Sequence, residues 1–291
     1  MSTIILLLIT GIGLGALYFL VASGLSLIYG LMGVLNFAHG SFLTFAAFIG
    51  WEVSRRVGDG TWGGLLTGML VGLVIGAVAA VFTELVFIRK LYNRHIEQVL
   101  VTVGLGLASV ALFEGIWGSD PIQTRKVPWL GETTNVLGAN IPNHYWLLMG
   151  AAALSLLAIV LFLQRTSYGL VIRAGVENRT MVTALGIDVR RAFTIVFAIG
   201  GAFAGLGGVL SSVHFGTVSA HQGTSLLIYA FIVTVIGGLG SLSGAAIAAV
   251  LVAVIQQFAN YYWGVGDFAI VLALAVVILV RPTGLMGKVK H

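Results

Sequence analysis

Three long stretches of the chain contain no Asp, Glu, Lys or Arg: residues 1–51, 133–164 and 192–266. Each is longer than the roughly 20 apolar residues that a helix needs to cross the hydrocarbon core of a bilayer. Charged residues make up only 9% of the sequence, against about 25% in a typical soluble domain. The sequence therefore excludes a soluble globular domain and predicts an all-α, polytopic integral membrane bundle.

The apolar runs predict eight or nine transmembrane segments in a single domain covering residues 1–291. The count is left open because the seventh and ninth runs are short, so one of them could be re-entrant. The nine runs are 4–29, 31–51, 63–88, 98–117, 146–164, 192–213, 225–239, 245–263 and 266–280.

Glycine is frequent, at 40 of 291 residues. In a bilayer, small residues let helix backbones approach closely, and this packing replaces the missing hydrophobic drive. Small residues recur every four positions in two runs, which are Gly68, Gly72 and Gly76, and Gly200, Ala204 and Gly208. We expect these two faces to pack against other helices rather than against lipid.

The positive charges predict the orientation of the chain. Residues 89–97, 165–191 and 281–291 hold eleven of the fifteen Lys and Arg residues. Because cytoplasmic loops are enriched in Lys and Arg, we place these three segments and the C-terminus in the cytoplasm. The loop over about 118–145 is then extracytoplasmic. The absence of cysteine fits a bacterial inner membrane.

Two segments interrupt the apolar runs with glycine and short polar side chains. They are residues 35–41 and 237–244, one in each half of the chain. Non-helical backbone survives at membrane depth only where protein or water satisfies it, and paired interruptions of this kind indicate a transport site. We expect the two interruptions to face each other around a conduit in the middle of the bilayer.

Helices that resume at Phe42 and Ala245 would present free N–H groups, which suit an anionic group such as a carboxylate. Ser41 is a suitable N-cap for the first of these helices, and Ser241 or Ser243 for the second. We hypothesise that the interruptions line the path of a small carboxylate or amide solute, through Asn36, His39, Ser41, Gly238, Gly240, Ser241 and Ser243. The alternative is that Asn36 and His39 only satisfy the backbone groups of a kink.

Two acidic residues lie within or near the apolar runs. Glu84 precedes Arg89 by five residues, and Glu114 lies close to Trp117. Ionisable groups inside a membrane are functional candidates by default. Since both side chains could reach the interface, we favour a structural role for each.

The longest cationic segment, 165–191, is larger than a simple connection requires. Residues 177–185 can form a short helix that places Met181, Ala184 and Leu185 on one apolar face, with Gly186 as its stop. Such a helix suits a groove in a cytoplasmic partner protein. The alternative is a helix that lies flat on the membrane surface.

Four segments in this order resemble the permease family of branched-chain amino acid ABC importers, specifically the LivH-type half. They are residues 36–40 (NFAHG), 169–187, 237–241 (GGLGS) and 281–285 (RPTGL). The resemblance extends over about residues 5–287.

The resemblance implies a non-catalytic permease subunit that pairs with a related LivM-type permease. Two cytoplasmic ATPase subunits would drive transport, and an extracytoplasmic binding protein would deliver the solute. The ATPase-coupling residues implied by the resemblance are Ala174, Glu177, Asn178, Met181, Ala184, Leu185 and Gly186. The segment lacks the Glu-Ala-Ala run that commonly precedes the glycine in ABC permeases. Relatives in this family also carry urea, short amides and aromatic or aliphatic acids.

The residues themselves also favour a subunit that forms a membrane path and does not hydrolyse ATP. The chain has no phosphate-binding loop, since its only Gly-Lys pair, Gly287-Lys288, is followed by Val289. We therefore expect no enzyme activity and no cofactor in this chain. If transport is active, its energy must come from another chain or from an ion gradient, and the resemblance implies ATP and Mg²⁺ bound by partner subunits. The net charge of +5 reflects loop orientation, so we expect contact with lipid and none with nucleic acid.

Three other functions remain open on sequence grounds, of which an intramembrane hydrolase is the most remote. An ion-coupled secondary transporter would share the interrupted helices, but it should carry buried acids in the middle of the membrane. A passive channel would explain the glycine-rich interruptions but would not need the cytoplasmic helix.

Overall fold

The structure is a computed structural model that describes residues 2–33, 36–92, 94–184, 186 and 188–287, most of which are helical. The helices are α1 (Ser2–Met32), α2 (His39–Gly58), α3 (Trp62–Thr83), α4 (His95–Trp117), α5 (Pro128–Gly131), α6 (His144–Arg165), α7 (Ser167–Ala184), α8 (Val189–Phe215), α9 (Gln222–Gly237), α10 (Leu242–Trp263) and α11 (Gly266–Val280). Beyond α3 the chain continues through a π-helical turn, Glu84–Ile88, and a short 3-10 turn, Arg89–Leu91. The prediction of an all-α membrane bundle is confirmed.

Four short strands form two antiparallel pairs at one end of the bundle. Strand β1 (Ile122–Gln123) pairs with β4 (Thr217–Val218), and β2 (Thr133–Val136) pairs with β3 (Ala139–Pro142). The predicted loop over 118–145 therefore contains a hairpin and the short helix α5, and β1 ties this loop to the end of α8.

Six helical segments in the described part of the chain are long and apolar enough to cross a membrane. They are Ser2–Met32, Trp62–Leu91, His95–Trp117, His144–Arg165, Val189–Phe215 and Leu242–Trp263. Helices α9 and α11 are apolar but shorter. The predicted run 31–51 is not one helix, because Gly33 adopts a positive φ of 70° at the end of α1 and the next helix starts at His39.

Glycine contacts set the packing of the bundle. Helix α1 packs against α6, α8, α9 and α10, and α3 packs against α2 and α8. A Cβ on Gly68 would lie 2.8 Å from the Gly50 carbonyl oxygen, and one on Gly200 would lie 3.1 Å from the Gly24 carbonyl oxygen. Both predicted small-residue faces therefore pack against neighbouring helices, which confirms that expectation.

The described parts of the three cation-rich segments lie at one end of the bundle, which we call the cationic end. Gly175 of α7 packs against Leu31 at the end of α1, and Thr194 near the start of α8 donates a hydrogen bond to Glu84 at the end of α3. The segment after α11 reaches the same end, where the Leu285 N–H bonds the Ile236 carbonyl oxygen. At the opposite end, Arg125 lies 3.5 Å from Asp59.

Candidate translocation surface

The first interruption brings the start of α2 into the middle of the bundle. His39 is the first residue of α2, and its Nε2 lies 3.1 Å from the carbonyl oxygen of Val21. Val21 lies eleven residues before Met32, the end of α1, which corresponds to about 16 Å of helix. The chain therefore turns back along α1 before α2 begins, and the His39 side chain is fully buried.

Two buried nitrogens at this interruption have no hydrogen-bond partner among the described residues. They are Asn36 Nδ2 and His39 Nδ1. Asn36 Oδ1 does accept a hydrogen bond from the Ala38 N–H at 3.1 Å, so one half of the amide closes the turn, as the kink interpretation expects. If His39 donates through Nε2, then Nδ1 is an acceptor. Since buried polar groups without partners are costly, Asn36 Nδ2 and His39 Nδ1 are suited to hydrogen-bond a polar group that enters the interior here.

The position of Ser41 corrects one expectation. Ser41 lies within the first turn of α2, and the N-cap is Ala38. The predicted Ser41 cap is therefore wrong, because the turn closed by Asn36 starts the helix earlier, at His39 rather than at Phe42.

The first turns of helices α2 and α9 are in contact. Gly40 and Gly223 are in backbone contact, and the Gly223 N–H donates a hydrogen bond to Thr44 Oγ1 at 2.9 Å. A side chain at either glycine would collide with the other backbone. Two helix N-termini, which carry partial positive charge, therefore come together inside the bundle.

One face of α9 remains uncovered in this chain. Helix α9 packs against α1, α2, α10 and α11. Its Thr224, Ser225 and Ile228 are exposed, and Phe231 is half-buried. Phe37, from the first interruption, is exposed beside it. We call this face, formed by Thr224, Ser225, Ile228, Phe231 and Phe37, the α9 surface.

Two small cavities border Asn36. One is lined by Leu25, Phe37, Leu227 and Phe231 in addition to Asn36. The other is lined by Ile28, Met32, Ile88, Gln98, Thr102 and Phe197 in addition to Asn36. Gln98 and Thr102 are buried on the side of α4 that faces the bundle. Asn36 therefore joins the α9 surface to a more polar space beside α4.

The second interruption lies elsewhere. Gly238 packs against Gly284 and Gly287 of the C-terminal segment, and the Met286 N–H donates a hydrogen bond to the Gly237 carbonyl oxygen at 3.0 Å. These contacts satisfy the free carbonyls at the end of α9. The second interruption is thus closed by the chain's own C-terminal segment at the cationic end.

The expectation that the interruptions face each other is therefore wrong. Gly240 of the second interruption packs against Gly30 of α1, whereas His39 of the first interruption contacts Val21 of α1. These two positions on α1 are nine residues apart, or about 13 Å of helix. The predicted Ser241 cap is confirmed, because its Oγ accepts a hydrogen bond from the Gly244 N–H at 3.1 Å. Ser243 lies inside α10 and is exposed.

The predicted coupling residues lie on or next to α7, which is longer than expected because it begins at Ser167. Ile172 and Val182 face the bundle, whereas Met181 is 62% exposed. Glu177 and Ala184 are also exposed, Ala174 is half-buried, and Gly186 has a φ of 77°. Asn178 lies within α7, but its side chain is outside the described part, and Leu185 lies outside the described residues.

Glu84 differs from its expected position. Its side chain is fully buried, with Tyr92 donating a hydrogen bond to Oε1 and Thr194 donating one to Oε2 at 2.9 Å. It therefore does not reach the interface, because hydroxyl groups inside the bundle satisfy it. Glu114 lies near the surface, where Oε1 is 2.9 Å from His221 Nε2.

Asp267 is a hydrogen-bonded acidic residue beside α9 that sequence reasoning missed. It accepts hydrogen bonds from the Tyr229 hydroxyl at 3.0 Å and from Gln256 Nε2 at 2.8 Å. The residue follows directly after the charge-free stretch 192–266, where a charge is typical of the end of an apolar run. A charge within the first turn of an apolar helix was the signal that could have identified it.

Comparison with known proteins places the chain among transport permeases. The sequence matches the family described as "Branched-chain amino acid transport system / permease component" over residues 7–281. It is 26% identical to the high-affinity branched-chain amino acid transport system permease protein LivH of Salmonella typhimurium, covering 96% of this chain and 94% of that protein. It is 28% identical to the corresponding protein BraD of Pseudomonas aeruginosa, covering 97% and 95%.

The chain is also 25% identical to the permease protein LivM of Escherichia coli, covering 93% of this chain and 68% of that protein. No solved structure matches the sequence. The family match covers nearly all of the described bundle, from α1 to the end of α11. The chain therefore belongs to the family of permease components of branched-chain amino acid transport systems.

Proposed function

We propose that this chain is the LivH-type permease subunit of an ATP-driven importer for branched-chain or other small amino acids. The observation that carries the proposal is the family match over residues 7–281, combined with similarity to both permease types, LivH and LivM. The first interruption supports it, because it brings polar groups and two helix N-termini into the interior of the bundle.

The proposed path follows the α9 surface and passes Asn36. A LivM-type permease covers this surface from the other side, so that the path runs between the two subunits. The exposed Ile228 and Phe37 side chains support this arrangement. Of the predicted path residues, Asn36 borders the path, with His39 buried behind it and Ser41 following in α2. Gly238, Gly240, Ser241 and Ser243 lie beyond it at the cationic end, where the C-terminal segment closes the second interruption.

The energy for transport comes from partner subunits. Two cytoplasmic ATPases bind ATP and Mg²⁺ and dock on α7, whose exposed Met181 supports this contact. An extracytoplasmic binding protein delivers the solute to the end that carries the β2–β3 hairpin. The C-terminus is cytoplasmic, in the inner membrane of a bacterium.

Reconstitution of the complete complex tests the proposal. Proteoliposomes containing this chain, a LivM-type permease and the two ATPases are supplied with binding protein and radiolabelled leucine. We expect uptake that requires ATP and the binding protein and persists when an uncoupler dissipates ion gradients. Uptake that collapses with the uncoupler and ignores the removal of ATP contradicts the proposal and favours an ion-coupled secondary transporter.

A further inference from the structure

Four helices meet at a cluster of polar side chains beside the α9 surface. Tyr18 of α1 donates a hydrogen bond to Gln256 Oε1 of α10 at 2.6 Å. Gln256 Nε2 and the Tyr229 hydroxyl of α9 both donate to Asp267 Oδ1 of α11, and the rings of Tyr18 and Tyr229 stack 4.9 Å apart. Hydrogen bonds from α9 and α10 therefore hold one oxygen of the Asp267 carboxylate in place.

The cluster lies within the membrane-spanning part of the bundle. Helix α11 does not begin beyond the end of α10 but beside it, since a Cβ on Gly266 would lie 3.0 Å from the Gln256 carbonyl oxygen. Gln256 precedes Trp263, the last residue of α10, by seven residues, or about 10 Å of helix. Tyr261 and Tyr262 are exposed near that end of α10, as expected for side chains at a membrane interface.

Asp267 lies in the first turn of α11, where the helix N-terminus supplies only a partial positive charge. Among the described residues, no Lys, Arg or His nitrogen lies within 4 Å of its carboxylate, and the residue is exposed. Glu84 and Glu114 differ, because Glu84 is enclosed by two hydroxyl groups and Glu114 lies against His221. A carboxylate that faces lipid at this depth is costly, so Asp267 must face water or a cation.

Asp267 borders the α9 surface rather than a separate part of the molecule. Tyr229, which holds its carboxylate, directly follows the exposed Ile228 and lies one helical turn beyond the exposed Ser225. The two hydrogen bonds to Asp267 both reach Oδ1. Among the described residues, no hydrogen bond is made to Oδ2, and Asp267 is exposed next to α9.

We infer that Asp267, held by Tyr229 and Gln256, binds the ammonium group of the amino acid on its way through the permease. The inference rests on the proposed function. An ammonium group is a compact cation with N–H donors that match a carboxylate oxygen, and every amino acid that carries a free α-amino group presents one. The solute meets this carboxylate on the hairpin side of the α2 N-terminus and passes from there toward Asn36.

The test uses the complete reconstituted complex and radiolabelled leucine. In Asp267→Asn the charge is lost but the side chain keeps its size and an oxygen that can accept from Tyr229 and Gln256. We expect leucine uptake to fall by at least about tenfold, the loss expected when a charged hydrogen bond is removed, while ATPase activity stimulated by the binding protein is retained. Asp267→Glu should recover part of the uptake.

Asp120→Asn is the matched control, because Asp120 is exposed in the loop at the same end of the bundle. It should transport at the wild-type rate. Wild-type uptake by an assembled Asp267→Asn complex overturns the inference. Loss of the second permease on purification of this variant also overturns it and identifies Asp267 as one half of an ion pair between subunits. A wild-type complex that moves neither branched-chain nor other small amino acids refutes the proposed function itself.

Discussion

At the residue scale, Asn36 meets the conditions of two interpretations that sequence reasoning treats as alternatives. Its Oδ1 closes the turn before α2, while Nδ2 is buried without a partner among the described residues and borders both cavities. A polar residue inside an otherwise apolar run is sufficient to select Asn36 as a candidate site residue from the sequence. Its position beside the two cavities depends on α4 and α9, which are distant in the sequence. The local sequence pattern therefore could not separate the kink interpretation from the path interpretation.

Replacing Asn36 tests its place on the path. Asn36→Leu keeps the approximate size of the side chain but removes the amide, so we expect leucine uptake to fall about tenfold, as for loss of a charge-assisted or buried hydrogen bond. Uptake is measured in proteoliposomes, with subunit stoichiometry measured alongside. Asn260→Leu, on the exposed side of α10, is the control and should leave uptake unchanged. Normal uptake by an assembled Asn36→Leu complex would remove Asn36 from the path.

A second prediction concerns the contact between α2 and α9. In Gly223→Ala, the new Cβ would collide with the Gly40 carbonyl oxygen and with Thr44 Oγ1. We expect this overpacking to lower the free energy of unfolding by about 1–3 kcal/mol, measured as a lower melting temperature of the purified complex. Gly104→Ala, where nothing lies within 4 Å of the added Cβ, should leave it unchanged or higher. Equal melting temperatures for the two variants would contradict the tight contact.

At the scale of elements, the apolar runs predict most helices correctly but not where each helix starts. Runs such as 192–213 become helices because no charge or turn residue interrupts them, and α8 covers that run. The start of α2 depends on the turn closed by Asn36, and the closure of the second interruption depends on residues 284–287, more than forty positions later. Such tertiary contacts leave no local pattern in the sequence.

Helix α7 provides a prediction at this scale. Met181 is 62% exposed on the cationic end, so in Met181→Glu a charge replaces an apolar side chain at the proposed ATPase contact. Because desolvating a charge in such a groove is costly, we expect weaker stimulation of ATPase activity and a parallel loss of uptake. Leu170→Glu is the control, since Leu170 is 61% exposed nearer the start of α7. Wild-type stimulation and uptake by Met181→Glu would show that the ATPase does not contact this part of α7.

At the scale of the whole molecule, the bundle has a cationic end and an end that carries the β2–β3 hairpin. The distribution of Lys and Arg predicts this polarity from the sequence alone, and the described segments that carry these charges do lie together. The predicted conduit between two facing interruptions is wrong, because the second interruption lies at the cationic end and not opposite His39. In the proposed arrangement the path therefore follows the exposed α9 surface, and a second permease encloses it.

The proposed orientation can be measured directly, because the native chain contains no cysteine. A single cysteine at Tyr168, exposed on α7, should react with a membrane-impermeant maleimide only from the cytoplasmic side. A single cysteine at Asn135, exposed in strand β2, should react only from the opposite side. The reverse pattern would invert the proposed topology.

The most direct measurement of the central claim is the accessibility of the α9 surface in the assembled complex. A single cysteine at Ile228, which is 57% exposed in this chain, is compared with one at Leu251, which is 46% exposed on α10. We expect a small water-soluble thiol reagent to label the cysteine at position 228 and to block leucine uptake, because this position lines an aqueous path. The cysteine at position 251 should remain unlabelled in lipid. Labelling at position 251 together with protection and normal uptake at position 228 would contradict the account.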